Sequence, residues 1–274
     1  MTNHSRYQLL ALDLDGTTLS HIDDRFFFTP RLVQVVQAAM AQGVKVSIAT
    51  GRAVSSTREF ALALGTNAPT ICHQGGTIYD FNTETTLFER TLSIELACNL
   101  VAFEQKHPSW HAVVYRGEEV FITHKRYPDY FYDLVAVAPI ITPDLCAALE
   151  GREPDKVLFI LSAEETSTAL KYISEYIGTR ANTVQSHALF VEVNPLGADK
   201  GSGLKWLAQH LGIQQEHVMA VGDQGNDLTL VQWAGFGVAM GNGNPITQAA
   251  ANWVAPTIDE DGAAVAIEKF ILGR

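Results

Sequence analysis

The sequence predicts an α/β protein built on a doubly wound parallel sheet, with a second, α+β unit inserted into it. Three observations carry that reading. The first third of the chain alternates short β-rich runs with helical patterns, the rhythm breaks near residue 82, and it returns near residue 187. Strand, helix and strand in succession imply βαβ units and a parallel, Rossmann-like sheet. A chain of 274 residues is also roughly two domains' worth and buries a core without staples.

Residues 7–12 form an almost continuous apolar run ending at Asp13, the pattern of a strand buried on both faces. Thr29 and Pro30 supply an N-cap and a first-turn proline for a helix with Leu32, Val33, Val36 and Met40 on one stripe, closed by Gly43. Residues 44–49 are a second buried strand, 54–64 a helix stopped by Gly65, and 70–72 the start of a third strand. In the middle block, a helix over 94–105 precedes two strand-like runs, 110–115 and 120–124, that read as an antiparallel pair about Gly117. Strands are expected over 156–162 and 188–193, with a helix over 164–177 between them. The alternation then resumes with helices at 201–211 and 227–234, strands at 217–221, 236–240 and 253–255, and a last helix at 263–272. The expected domains are a core of residues 1–82 and 188–274 and an inserted unit of 83–187.

Composition narrows the function. Nineteen Lys and Arg against thirty Asp and Glu give a net charge of −11, which repels nucleic acid and anionic membranes. An anionic substrate therefore needs local cations. Cys72, Cys98 and Cys146 are odd in number and lack a CxxC pair, which fits reduced thiols and a cytoplasmic protein. No secretory leader pattern opens the chain, and no run approaches the ~18 apolar residues of a membrane span.

Four segments carry chemistry, each at a strand's carboxyl end, where open α/β sheets bind ligands. In Asp13-Leu14-Asp15-Gly16-Thr17, residues i and i+2 of an extended chain face the same way, so Asp13 and Asp15 converge. Carboxylates that close raise one pKa or demand a cation; a polar turn with capping side chains is the alternative. In Thr50-Gly51-Arg52 a hydroxyl and exposed N–H groups suit phosphate oxygens, or Thr50 caps the next helix. Lys200 opens a helix, against the dipole's preference, so either an anion compensates it or it is solvated. Asp223, Asn226 and Asp227 follow a buried strand, as caps or as oxygen ligands for a hard cation such as Mg²⁺.

Taken together and in this order, the DxDGT, TGR, Lys and GDxxND segments resemble the haloacid dehalogenase-like superfamily, specifically its Cof-type phosphatases with a large cap between the second and third motifs. The similarity spans the chain, and Val238 to Asn242 and Glu260-Asp261-Gly262 are similar to that family's tail. It implies a haloacid dehalogenase-like core, with residues 83–187 as the cap. It further implies Asp13 as the nucleophile and Asp15 as the proton donor and acceptor. Mg²⁺ would be held by Asp13, the Asp15 carbonyl and Asp223, with Asp227 in support. Thr50, the Leu14 and Gly51 N–H groups, Lys200 and Asn226 would hold the phosphoryl oxygens. The partner so implied is a small phosphorylated metabolite, a sugar phosphate being the expectation.

The chain departs from the family at His73-Gln74-Gly75-Gly76, where relatives carry Asn-Gly; Gln74 is then a candidate amide donor and His73 has no assigned role. Asp15 argues against a dehalogenase, and the short connection from Asp15 to Thr50 against a mutase with a small helical cap. A phosphomannomutase-like transferase and a non-catalytic phosphate-binding regulatory module remain as alternatives. Trp110, His111, Tyr115, Phe121, His124 to Tyr127 and Tyr130 to Tyr132 are candidates for contacting the leaving group, Lys125 or Arg126 suiting a second anion.

Overall fold

The computed structural model describes residues 6–22, 25–127 and 138–274; the candidates Tyr130, Phe131 and Tyr132 lie outside them. Strands β1 (Leu9–Leu12), β4 (Lys45–Ile48), β14 (Val218–Gly222), β15 (Phe236–Ala239) and β16 (Trp253–Val254) form a parallel sheet in the order β16-β15-β14-β1-β4. Strand β5 (Thr70–Cys72) touches its edge through an Ala49–Ile71 bridge. It continues into an antiparallel hairpin of β6 (Thr77–Asp80) and β7 (Thr85–Glu89). A small hairpin, β2 (Ser20–Ile22) with β3 (Arg25–Phe27), follows β1.

Alternation divides the core strands between two layers. Leu10 and Leu12 pack with Leu32, Val36 and Ile267 on one face, and Leu9 and Ala11 with Leu204, Leu207 and Leu230 on the other. Each fully buried Leu contributes about 1.5–3 kcal/mol, so a polar substitution in β1 would damage both layers. The helix Pro30–Ala41 starts as expected, with Thr29 Oγ1 accepting from the Leu32 N–H, and the helix Val54–Leu64 ends at Gly65 in the left-handed region.

The second sheet has six strands in the order β10-β9-β8-β11-β13-β12. These are β8 (His111–Arg116), β9 (Glu119–Ile122), β10 (Ile140–Ile141), β11 (Lys156–Ile160), β12 (Ala181–His187) and β13 (Phe190–Pro195). Their helix-covered face packs Val114, Phe121, Phe159 and Val193 against Leu100 and Ile173. The opposite face, with Val113, Tyr115, Leu158 and Ile160, closes on Ala53 of the core.

Sheet membership shifts the expected crossings. Strand β7 hydrogen-bonds to β6, and β13 lies inside the second sheet between β11 and β12. We therefore place the passages between core and cap near residues 90–92 and 196–198, later than the 82 and 187 read from the pattern. Cys98 and Cys146 correct the expectation of reduced thiols: the structure joins them, Cα to Cα 5.5 Å, while Cys72 stays free and buried. Among the described residues no helix is long and apolar enough to cross a membrane.

Candidate active site

Strands β1 and β14 pair in register from Leu9 with Val218 to Leu12 with Val221, so the segments that follow them emerge side by side. Beyond β1 the chain folds over itself, with the N–H groups of Thr18 and Leu19 both donating to the Leu14 carbonyl at 2.9 Å. Gly16 adopts φ +82° there, and a Cβ on it would run into the Asp223 carboxylate. Only glycine meets both demands. Thr17 Oγ1 donates to Asp223 Oδ1 at 2.9 Å, and Asn242 Nδ2 braces the Gly16 carbonyl at 2.8 Å. Thr17 and Asn242 are thus part of the site's frame, although the motif reading gave neither a role.

Lys200 is the first residue of the helix Lys200–His210 and has its compensating anions: Nζ donates to Asp13 Oδ1 at 2.5 Å and to Asp227 Oδ1 at 2.6 Å. All four of Asp13, Lys200, Asp223 and Asp227 are at least 97% buried. Burial alone would lower the Lys200 pKa, but Asp13 and Asp227 outweigh it and hold the ammonium above its ordinary value. Burial, and then the charge of Asp227, push the carboxyls of Asp13 and Asp223 upwards. Three buried carboxylates against one ammonium leave negative charge uncompensated, and a dication relieves that cost.

Oxygen atoms of Asp13, Asp223 and Asp227 lie within 4.8 Å of one another, an all-oxygen donor set that fits a hard cation. Asp227 is the most occupied of the three. Its Oδ2 accepts from the Asp223 and Gln224 N–H groups, both at 3.0 Å, while Lys200 takes Oδ1. This carboxylate orients the loop as much as it offers a ligand.

A family model for haloacid dehalogenase-like hydrolases matches residues 10–267. The chain belongs to that family. The 5-amino-6-(5-phospho-D-ribitylamino)uracil phosphatase of Bacillus subtilis is 30% identical over 276 residues, covering 97% of this chain and 96% of the relative. A haloacid dehalogenase-like hydrolase from Bacteroides thetaiotaomicron superposes at TM-score 0.84 with 27% identity, over 96% of this chain and 99% of that one. A sugar phosphatase of subclass IIB of the superfamily gives TM-score 0.82 and 25% identity over 96% and 98%.

In this haloacid dehalogenase-like hydrolase Asp15 stands apart from the buried cluster. Its side chain is half exposed, and Arg52 grips both oxygens, at 2.8 Å through Nε and 2.5 Å through Nη2. Arg52 itself lies over the rings of Phe26 and Phe60. Sequence reasoning quoted Arg52 without a role; its partner 37 residues earlier becomes visible only once β1 and β4 are paired. Thr50 is buried and does not cap the next helix, which starts from Ala53; its Oγ1 accepts instead from the Arg52 N–H at 3.1 Å.

The residues after β5 hold the Thr50 turn from below. His73 and Gln74 both take positive φ, +48° and +56°, a strained choice for these side chains. Two backbone bonds enforce it, from the His73 N–H to the Arg52 carbonyl at 2.9 Å and from the Gln74 N–H to the Thr50 carbonyl at 3.1 Å. Gln74 Oε1 accepts from Asn226 at 3.2 Å, and its Nε2 lies so close to Gly51 that a Cβ there would overlap it. Gln74 therefore joins the Gly51 turn to Asn226. Of the cap candidates, Trp110 and Phe121 are cap core, and Arg126 spends its guanidinium on the carbonyls of Pro108 and Trp110. His111 is buried beside Glu104, and Tyr115 faces the core.

Proposed function

We propose that this hydrolase is a Mg²⁺-dependent phosphatase that removes phosphate from a small metabolite, a sugar phosphate, through an aspartyl-phosphate on Asp13. One observation carries the reading: Asp13 is buried with one oxygen fixed by Lys200 among carboxylates that call for a cation. Lys200 occupies Oδ1, so Oδ2 is the oxygen that attacks phosphorus. The new bond joins Asp13 to phosphorus as the bond to the leaving oxygen breaks, and Asp15 gives that oxygen its proton. In the second step water attacks the aspartyl-phosphate, Asp15 takes its proton, and inorganic phosphate leaves Asp13 free.

Both steps require Asp15 to leave the Arg52 pair, because Arg52 takes both carboxylate oxygens and turns them away from the leaving oxygen and the water. Thr50, the Leu14 and Gly51 N–H groups, Lys200 and Asn226 hold the phosphoryl oxygens. Asp13, Asp223 and the Asp15 carbonyl would hold Mg²⁺, with Asp227 behind them, and when bound it offsets the repulsion between nucleophile and ester. The acidic chain thus binds an anion through two local cations.

Phosphate release from a panel of sugar phosphates and p-nitrophenyl phosphate tests this, with Mg²⁺ and with EDTA, for wild type and Asp13→Asn. The expected result is metal-dependent release that falls at least about 10³-fold in Asp13→Asn. Release that survives the substitution would sink the mechanism. Activity appearing only with a sugar bisphosphate would favour a phosphomannomutase-like transferase, and a folded protein inactive in both assays would be a binding module.

A further inference from the structure

The cap carries a group of metal-ligating side chains that the phosphatase reading leaves unused. Extending the β8–β9 register, in which Val114 faces Phe121, by three residues brings His111 opposite His124 at the end of the hairpin away from Gly117. The short helix Phe103–Lys106 lays Glu104 against that end, where its Oε1 accepts from the Ala112 N–H at 2.7 Å. The His111 side chain is fully buried, that of Glu104 is 9% exposed, and His124 is exposed. One ligand atom from each of the three lies within 4.8 Å of the other two.

These spacings are close to those that one tetrahedral ion imposes. Zinc binds imidazole nitrogen at roughly 2.0–2.1 Å, so two donors on it stand about 3.3 Å apart and the ring centroids of two such imidazoles about 5.2 Å apart. His111 Nδ1 lies 3.1 Å from Glu104 Oε1, and the His111 and His124 rings lie 5.3 Å apart at 69°. The surrounding bonds also prepare the donors. Burial alone would raise the Glu104 pKa, but bonds from His111, Thr123 and the Ala112 N–H outweigh it and keep the carboxyl below its ordinary value, hence ionised. The Thr123 hydroxyl gives its one proton to Glu104 Oε2 at 2.5 Å, and so accepts from His124 Nδ1 at 2.9 Å. That puts the hydrogen of a neutral His124 ring on Nδ1 and leaves Nε2 with a lone pair, the service an outer partner gives a metal-bound imidazole.

We propose that Glu104, His111 and His124 bind a zinc ion that pins the helix Phe103–Lys106 to the end of the β8–β9 hairpin. Imidazole nitrogen selects zinc and its transition-metal neighbours over Mg²⁺, which takes oxygen ligands. The chain then sorts two metals by donor type, a hard cation at the all-oxygen cluster of the core and a softer one in the cap. Three protein donors leave the fourth position of the tetrahedron to water. Zinc takes the place of the hydrogen between His111 Nδ1 and Glu104 Oε1. That proton moves to Nε2 of a neutral ring, or passes to solvent from a charged one. The site stands whether or not the chain hydrolyses phosphate esters.

Equilibrium dialysis of the full chain against Zn²⁺, with Mg²⁺ in large excess at the core cluster, tests the site. Co²⁺ repeats the measurement, since its visible absorption reports tetrahedral geometry. His124→Ala should weaken zinc binding at least about 100-fold and Thr123→Val about tenfold, while Asp223→Asn leaves the cap ion in place. Zinc should also raise the Tm of the wild type and not that of His124→Ala. Circular dichroism checks folding, and Glu104→Gln replaces His124→Ala should that variant not fold. Zinc held equally by wild type and both ligand variants, or lost only in Asp223→Asn, would overturn the site. A chain that takes up no zinc would reduce the cluster to a His–Glu pair and overturn it too.

Discussion

Lys200 lies between two aspartates of the core, and Lys156 between a glutamate of the cap and a backbone carbonyl of the core. Both are buried and both are held by geometry rather than by exposure to water. Around Lys200 three carboxylates face one ammonium, so the core edge carries an excess of acidic groups. Around Lys156 one negative group meets one positive group, and what is left over is hydrogen-bonding capacity. On the function proposed above, the first place recognises a phosphoryl group by charge, while the second ties the cap to the Gly51 turn. Division of labour between the two sheets follows from that difference in local charge balance.

Removing each lysine tests the contrast most directly. Lys200→Met leaves Asp13 and Asp227 buried without their cation, at a cost of about 3–5 kcal/mol in stability, and should lower kcat at least about 10³-fold. Lys156→Met leaves Glu192 with a bond from Ser186 and should act mainly on KM, by about tenfold. Steady-state kinetics and urea melts separate the two, and equal losses in kcat would break the comparison.

Core and cap also differ in the sign of their response to pH. His73, lowered from 6.5 to about 3, is protonated in the unfolded chain before the folded one. Its stabilising effect is complete above pH 6.5 and drains away as pH falls toward 3, by up to about 1.4 kcal/mol per unit. Asp155, at the start of the central cap strands, runs the other way: burial raises it from 3.8 to about 6, against the Gly117 N–H that it accepts. The folded state therefore holds that proton more tightly, and stability is lost as pH rises from 3.8 through 6. Urea denaturation at pH 5 and 7 should find that His73→Asn flattens the acid-side loss. Asp155→Asn should gain stability at pH 7, at most about 3 kcal/mol. A smaller difference concerns thiols. Denatured, unreduced protein should show one reactive thiol, Cys72, and three after reduction; three in both would dissolve the Cys98–Cys146 link.

The core edge was legible because its chemistry is contiguous: Asp13 to Thr17, Thr50 to Arg52 and Asp223 to Asp227 each keep several functional groups within one turn at a strand end. Lys200 was legible because a cation at a helix start needs an anion, and the structure supplies two. The cap's contact with that edge was not. Lys156 read as the edge of a strand, and it becomes a buried, paired group only through Glu192, 36 residues later, and Gly51, 105 residues earlier. Strand β12 escaped notice because its sequence, ANTVQSH, is too polar to show a hydrophobic stripe. The boundary read at 187 falls between β12 and β13, which pair within one sheet. Cysteine spacing likewise held no sign that Cys98 and Cys146, in separate helices, meet in the cap.

Arg90 donates to the Leu196 carbonyl at 3.3 Å, which sets the outgoing and returning passages of the cap side by side. Topologically the cap is a closed excursion rather than an appendage. A single proteolytic cut in either passage would therefore leave the two parts joined through the other, with the cap still tethered over the catalytic edge at an effective concentration on the order of millimolar. Two bands on a denaturing gel would coexist with one particle in solution, and only a second cut would release the cap.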